Sequence, residues 1–300
     1  MWWQKHKQAN SPSPVRLSGI ENWSEREQFL FETLTPNLQK VYKRLGRIVN
    51  GHAPILLRGE SGSGKSTLAL ALHHARRTQP HALLALHCAD VSEEQFAQAF
   101  TRVVQEASRT MHANGHVSAT PHMTLEVTLL LRHVNELAWD TQHAVLRLLQ
   151  ESALRSSAGP AVALRLLATT KEALAPLVEQ KKFRWDFYYR LSTYEFELPP
   201  LRERWEDLPA LLACYNNQHA RRLQFSSGAL EQLRAQRWPG NLRELHETFA
   251  RTQAAHLGHG DLVERFEFSS PEASAHLNAR QNGAAHGAYA PENIFEISSA

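Results

Sequence analysis

Gly59-Glu60-Ser61-Gly62-Ser63-Gly64-Lys65-Ser66 is a complete G-x-x-x-x-G-K-[ST] run. The apolar residues Ile55-Leu56-Leu57 precede it, and Thr67-Leu68-Ala69-Leu70-Ala71-Leu72 follow. This order predicts a strand, a tight glycine turn and a helix whose first amides point at an anion. Glycines let the backbone curl close around phosphate oxygens, Lys65 can reach the β- and γ-phosphates, and the Ser66 hydroxyl can hold Mg²⁺. Gly59, Glu60, Ser61, Gly62, Ser63, Gly64, Lys65, Ser66 and Thr67 are therefore the candidate nucleotide-binding run. With glycine near 7% of residues, the fixed positions coincide by chance in roughly one chain in a hundred of this length. The flanking strand and helix patterns argue further against a chance turn.

The remaining composition sets bounds. The chain has 300 residues, enough for one large α/β domain and a small helical one. A net charge of +3 is too weak to argue for nucleic acid, and the 17 histidines read as solvated surface. Cys88 and Cys214 lie far apart without metal-ligand spacing, so both are expected to be buried thiols in a reducing compartment. No apolar run reaches the length of a membrane span, and Met1-Trp2-Trp3-Gln4-Lys5 is not a signal-peptide core. A cytoplasmic location away from membranes is the expectation.

Working outward, residues 1–25, with Ser11-Pro12-Ser13-Pro14, read as a flexible lead-in. Thr35-Pro36 signals a helix start, followed by Leu38, Val41, Tyr42, Leu45, Ile48 and Val49 at helical spacing. Beyond the glycine run, strands are predicted near Ala82–Leu86, Leu125–Leu131 and Leu164–Ala168. Helices are predicted from Ser92 and over Thr141–Ala153, and a polar loop over residues 110–122. Strands alternating with helices imply a parallel sheet covered on both faces across 26–198. After Pro199-Pro200 the pattern is all-helical, giving a small lid over 199–268, and 269–300 reads as a disordered tail.

From about Thr35 to Gly260 the chain resembles the AAA+ ATPase domain of bacterial sigma-54-dependent transcription activators. The resemblance rests on the glycine run and four further strings in order. These are Arg147-Leu148-Leu149-Gln150-Glu151, Phe183-Arg184-Trp185-Asp186-Phe187-Tyr188-Tyr189-Arg190-Leu191, Glu197-Leu198-Pro199-Pro200-Leu201-Arg202-Glu203-Arg204 and Trp238-Pro239-Gly240-Asn241-Leu242-Arg243-Glu244-Leu245. It implies a P-loop AAA+ parallel sheet covered by helices and followed by an all-α lid. It also implies a homo- or hetero-oligomeric ring that uses ATP and Mg²⁺ to remodel sigma-54 RNA polymerase. Carried over by position, Ser66 holds Mg²⁺, Arg184 and Arg190 reach a neighbouring subunit's γ-phosphate, and Arg243 senses nucleotide in cis.

The chain departs from that pattern where hydrolysis is performed. The family's third strand ends in an Asp-Glu pair that holds Mg²⁺ and activates water; here Arg132 and His133 stand there. Arginine stays protonated and is no metal ligand. The asparagine that restrains the catalytic Glu falls at His87, and the sensor asparagine falls at Thr170. The family's sigma-54-contacting loop has no match in residues 91–123, where Asn114-Gly115-His116-Val117-Ser118-Ala119 lacks its aromatic and final glycine. Residues 256–300 hold no pair of amphipathic helices joined by a glycine turn, so no direct DNA-binding domain is evident. The expectation is an ATP-binding regulatory protein impaired in hydrolysis that acts on sigma-54 RNA polymerase through a related activator. The alternatives are an active ATPase with His133 as the unconventional water activator and a nucleotide-independent interaction module.

Overall fold

The structure is a computed structural model that describes residues 15–16, 32–33, 35–75, 81–113, 124–151, 161–219, 223–255, 262–263, 266 and 293–298. From Pro36 the chain alternates between helix and strand: α1 (Pro36–Ile48), β1 (Ile55–Arg58), α2 (Lys65–His74), β2 (His81–His87) and α3 (Glu93–Ala113). There follow β3 (Thr124–Arg132), α4 (Trp139–Glu151), β4 (Ala161–Thr170), the short α5 (Ala175–Glu179) and α6 (Trp185–Leu191), then β5 (Tyr194–Glu197). The lid contributes α7 (Leu208–Gln218), α8 (Ser227–Ala235) and α9 (Asn241–Ala255), and β6 (Asn293–Ser298) lies near the C-terminal end. These strands form one sheet in the order β6-β2-β3-β4-β1-β5. Neighbours from β2 to β5 run parallel, as strands joined through helical crossovers do, and β6 adds antiparallel to β2.

Strand alternation assigns each sheet face its own core. On β2 and β3, Ala82, Leu84, Leu86, Val127, Leu129 and Leu131 pack under α3, α4 and α6, with Phe96, Val103, Val145, Phe183 and Phe187. The intervening Leu83, Ala85 and Leu130 face α1 and α2, where Leu38, Leu45, Leu68 and Leu72 are buried. A third cluster around Trp238, Leu233, Leu245 and Phe249 forms the core of the lid.

Several boundaries differ from the sequence reading. β5 was not foreseen: Tyr194–Glu197 alternates exposed and buried residues at the edge and carries no apolar run. The assignment of 269–300 to a disordered tail is corrected at Asn293–Ser298, whose backbone pairs from Asn293↔Leu86 to Ser298↔His81. Within the stretch read as a flexible lead-in, Val15–Arg16 pairs with Glu32–Thr33. The rest of 1–25 lies outside the described residues, as do Asn114–Ala119. α3 runs on to Ala113, into the stretch read as a polar loop.

One buried polar network ties the start of the fold to the lid. Asp207 is 1% exposed, and its carboxylate accepts from the Thr33 hydroxyl at 2.8 and 2.9 Å and from Arg204 Nε at 3.1 Å. It also accepts the Thr35 amide at 3.3 Å. Thr35 does cap α1 by position, with Pro36 first in the helix, but its side chain makes no cap bond and donates to Glu206 Oε2 at 3.4 Å instead. Tyr42 is packed beside this network, and burial pushes its hydroxyl up to about 12. A buried ion pair with satisfied partners becomes costly when one member is removed, because the other charge is left unpaired. Asp207→Ala is therefore expected to lower unfolding stability by about 3 kcal/mol in a denaturant titration, with Asp207→Asn losing less because it retains an acceptor.

Candidate functional site

The carboxyl ends of the central strands meet on one line. Arg58 lies in register with Thr170 on one side and Glu197 on the other, and His87 lies opposite Arg132. In open α/β sheets ligands bind outside these strand ends. The glycine run leaves β1 here, with the Gly59 amide donating to Thr170 O at 3.3 Å, and enters α2 through Gly64 at φ 100.

The loop is a cradle closed by the lid. Gly62 has φ 73, and a Cβ there would stand 2.0 Å from Gly240 O, so any side chain would collide with the lid backbone. Gly62 O accepts from the Leu242 amide at 3.0 Å. Glu60 completes the closure: Arg202 pairs with both carboxylate oxygens at 2.9 and 2.5 Å, and Asn241 Nδ2 donates to Glu60 Oε2 at 3.1 Å and Ser61 O at 2.9 Å. Asn241 adopts φ 53, a conformation asparagine tolerates, and its Oδ1 accepts from the Leu201 amide at 2.8 Å. The Arg202 and Asn241 bonds hold the Glu60 carboxyl below the usual carboxylate range. Sequence reasoning named these residues but not this clamp, because its partners lie 142 and 181 positions apart.

Lys65 is 6% exposed, and its ammonium donates to Gly59 O at 2.8 Å and Glu60 O at 2.7 Å across the mouth of the loop. Burial, reinforced by the Arg243 charge, pushes its pKa down to about 8. Ser63 is 1% exposed, and its hydroxyl has no hydrogen-bond partner among the described residues. A glycine cradle, a buried cation, an orphaned hydroxyl and a helix N-terminus fit a phosphate chain. Ser66 is half-buried and Thr67 exposed at the start of α2. Beside the loop, a cleft of about 700 Å³ is lined by Glu60, Ser61, Lys171, Arg202, Arg237 and Pro239.

The residues at the end of β3 do not fit a catalytic Mg²⁺. Arg132 ends the strand with its guanidinium half-buried, and burial lowers its pKa from the ordinary arginine value. Leu130, two residues earlier, packs on the α2 side of the sheet, so Arg132 shares the face carrying the loop helix. His133 follows in a left-handed turn at φ 58 and ψ 50, its amide donating to Thr169 Oγ1 at 3.3 Å. Its ring lies 4.9 Å from that of His87, and burial, with His87 adding to it, lowers its pKa to about 4. A base that weak is a poor activator of water near neutral pH. Thr170, which the resemblance aligned with a sensor, is fully buried and engaged locally: its hydroxyl lies 2.8 Å from Glu172 O and 3.2 Å from Asn135 Oδ1, and accepts the Glu172 amide at 3.3 Å. Glu136 pairs with Lys171 at 3.1 Å. Among the described residues no cluster of His, Cys, Asp and Glu could hold a metal ion.

Arg184 is the N-cap of α6, and Arg190 lies in its last turn. Arg184 makes a two-point pair with Asp186 at 3.1 and 2.8 Å, and its guanidinium sits 5.4 Å from the Trp139 ring centroid. Arg190 Nη2 donates to Leu149 O at 3.3 Å. Trp185 and Tyr189 beside them are 72% and 79% exposed. Both cysteines are buried free thiols; burial raises Cys88 beyond the usual range and Cys214 to about 11.

Fold and site together define a P-loop nucleoside-triphosphatase architecture with a helical lid. Residues 32–197 match the sigma-54 interaction domain and residues 202–282 the AAA+ ATPase lid domain, and the chain belongs to this sigma-54 activator family. The Nif-specific regulatory protein of Rhizobium etli is 36% identical over 255 residues, spanning 80% of this chain and 40% of that protein. That of Azotobacter vinelandii is 33% identical over 247 residues, spanning 76% and 45%. The chain thus spans under half the length of these curated relatives. Among solved structures, NtrX from Brucella abortus in complex with ATP superposes with a TM-score of 0.60 at 20% identity, covering 83% of this chain and 60% of that one. No described helix is long and apolar enough to cross a membrane.

The lowered His133 pKa has a consequence for stability. Below about pH 6.5 the unfolded chain takes up a proton that the folded chain refuses until about pH 4, so stability falls as pH drops through that window. His133→Asn, which suits the left-handed backbone, is expected to flatten this part of the curve in melting temperatures measured from pH 7 to pH 4.

Proposed function

We propose that this chain is an ATP-binding regulatory subunit of the sigma-54 activator type, impaired in hydrolysis and acting on transcription through a competent partner. The observation that carries this reading is the asymmetry of the site. The loop, Lys65 and Arg243 would serve phosphate, while the end of β3 carries Arg132 and His133, at positions where the family resemblance expects acids for metal binding and water activation. Charge-assisted contacts from Lys65, Arg243 and the α2 amides would hold the triphosphate. Arg184 and Arg190, flanking the exposed Trp185 and Tyr189, would complete the site of a neighbouring subunit in a mixed ring. Planar guanidinium groups suit that task, and Asp186 would hold Arg184 in one orientation until a phosphate competes for it.

Phosphate release at saturating Mg-ATP, with Lys65→Ala as the blank, tests the first half of this proposal. The expected rate is indistinguishable from the blank, and a rate clearly above it would make the chain an enzyme. Mixing with a hydrolysing relative tests the second half. The relative's ATPase rate should change on mixing, and Arg184→Ala should abolish the change.

A further inference from the structure

We propose that Arg132 takes the place of the divalent cation, so that this chain holds the nucleotide triphosphate with fixed protein cations and without Mg²⁺. The inference rests on the nucleotide-binding reading above and specifies the chemical form that the site accepts.

Charge at the end of β3 carries the argument. An Asp-Glu pair with one divalent cation sums to no net charge. Arg132 with a neutral His133 sums to one positive charge with no metal at all, and burial keeps that histidine uncharged down to about pH 4. A divalent cation added beside Arg132 would make three positive charges, and Glu136, the carboxylate whose charge reaches His133, is already paired with Lys171 at 3.1 Å, so the arrangement is opposed by direct repulsion. Position supports the same conclusion. Arg132 is the last residue of β3, on the sheet face that carries α2, and the next residue, His133, lies within the electrostatic reach of Lys65. A guanidinium there can offer two parallel N–H donors to phosphate oxygens, with a charge that no change of pH near neutrality removes. Lys65 and Arg243, whose charges lie within reach of each other at the loop, would act with Arg132 on the phosphate chain, and the N-terminus of α2 adds its dipole. Arg132 is half-buried, so its contact with phosphate would be less screened than one in open solvent.

Calorimetric titration of the full chain with ATP, once in excess EDTA and once in excess Mg²⁺, tests this. The expected affinities agree within about threefold, and both are lost in Lys65→Ala. Binding that weakens more than about tenfold on removal of Mg²⁺ would overturn the inference while leaving the nucleotide-binding reading intact. Absence of binding in both conditions would overturn that reading and the inference with it. Arg132→Asp is expected to convert the site to one in which Mg²⁺ improves ATP affinity by about tenfold or more. Should that variant fail to melt cooperatively, Arg132→Gln serves instead, with an expected loss of about tenfold in EDTA. Unchanged affinity in EDTA for the folded variant would remove Arg132 from the phosphate contact.

Discussion

The structure depends on two backbones touching. Gly62 of the phosphate loop lies against Gly240 of the lid so closely that a Cβ would stand 2.0 Å from the carbonyl oxygen. That contact joins the sheet domain to the helical lid, and the polar clamp around Glu60 fixes its geometry. Arg202 and Asn241 both come from the lid side and both bind the same carboxylate. The loop conformation and the lid position are therefore one structural fact. Lys65, buried under this closure, has its charge disfavoured by burial, so the site is set to gain when an anion arrives.

The second constraint is register. Parallel pairing brings His87, Arg132, Thr170 and Arg58 to a common edge of the sheet, so substitutions scattered through the sequence act on one small volume. Within it the replacements support one another. Arg132 places a positive charge at the strand end, the His87 ring lies against that of His133, and Thr170 spends its hydroxyl on its own turn. On the proposed reading, each of these features disfavours hydrolysis and together they would leave a site suited to holding phosphate.

Much of the fold was legible in the sequence because its signals are local. The apolar runs of β1 to β4, the glycine turn and the periodic face of α1 each sit within a dozen residues. β5 was not, since Tyr-Glu-Phe-Glu is four residues of edge strand with one buried side chain. β6 was not either, lying in a polar, alanine-rich stretch far from the strand it joins. The glycine loop was readable by position in a known pattern, between a strand and a helix. The Glu60 clamp, the Asp207 network and the left-handed turn at His133 arise from contacts between distant segments, and no local pattern announces them. Histidine was misjudged in part: His73 is 1% exposed, where a solvated surface was expected.

The most direct test of the account is the identity of the nucleotide that the chain retains. Purified protein incubated with ATP for an hour, freed of unbound ligand and then denatured, should release intact ATP. Recovery of ADP in its place, absent from a Lys65→Ala control, would show that the site performs the hydrolysis its residues argue against.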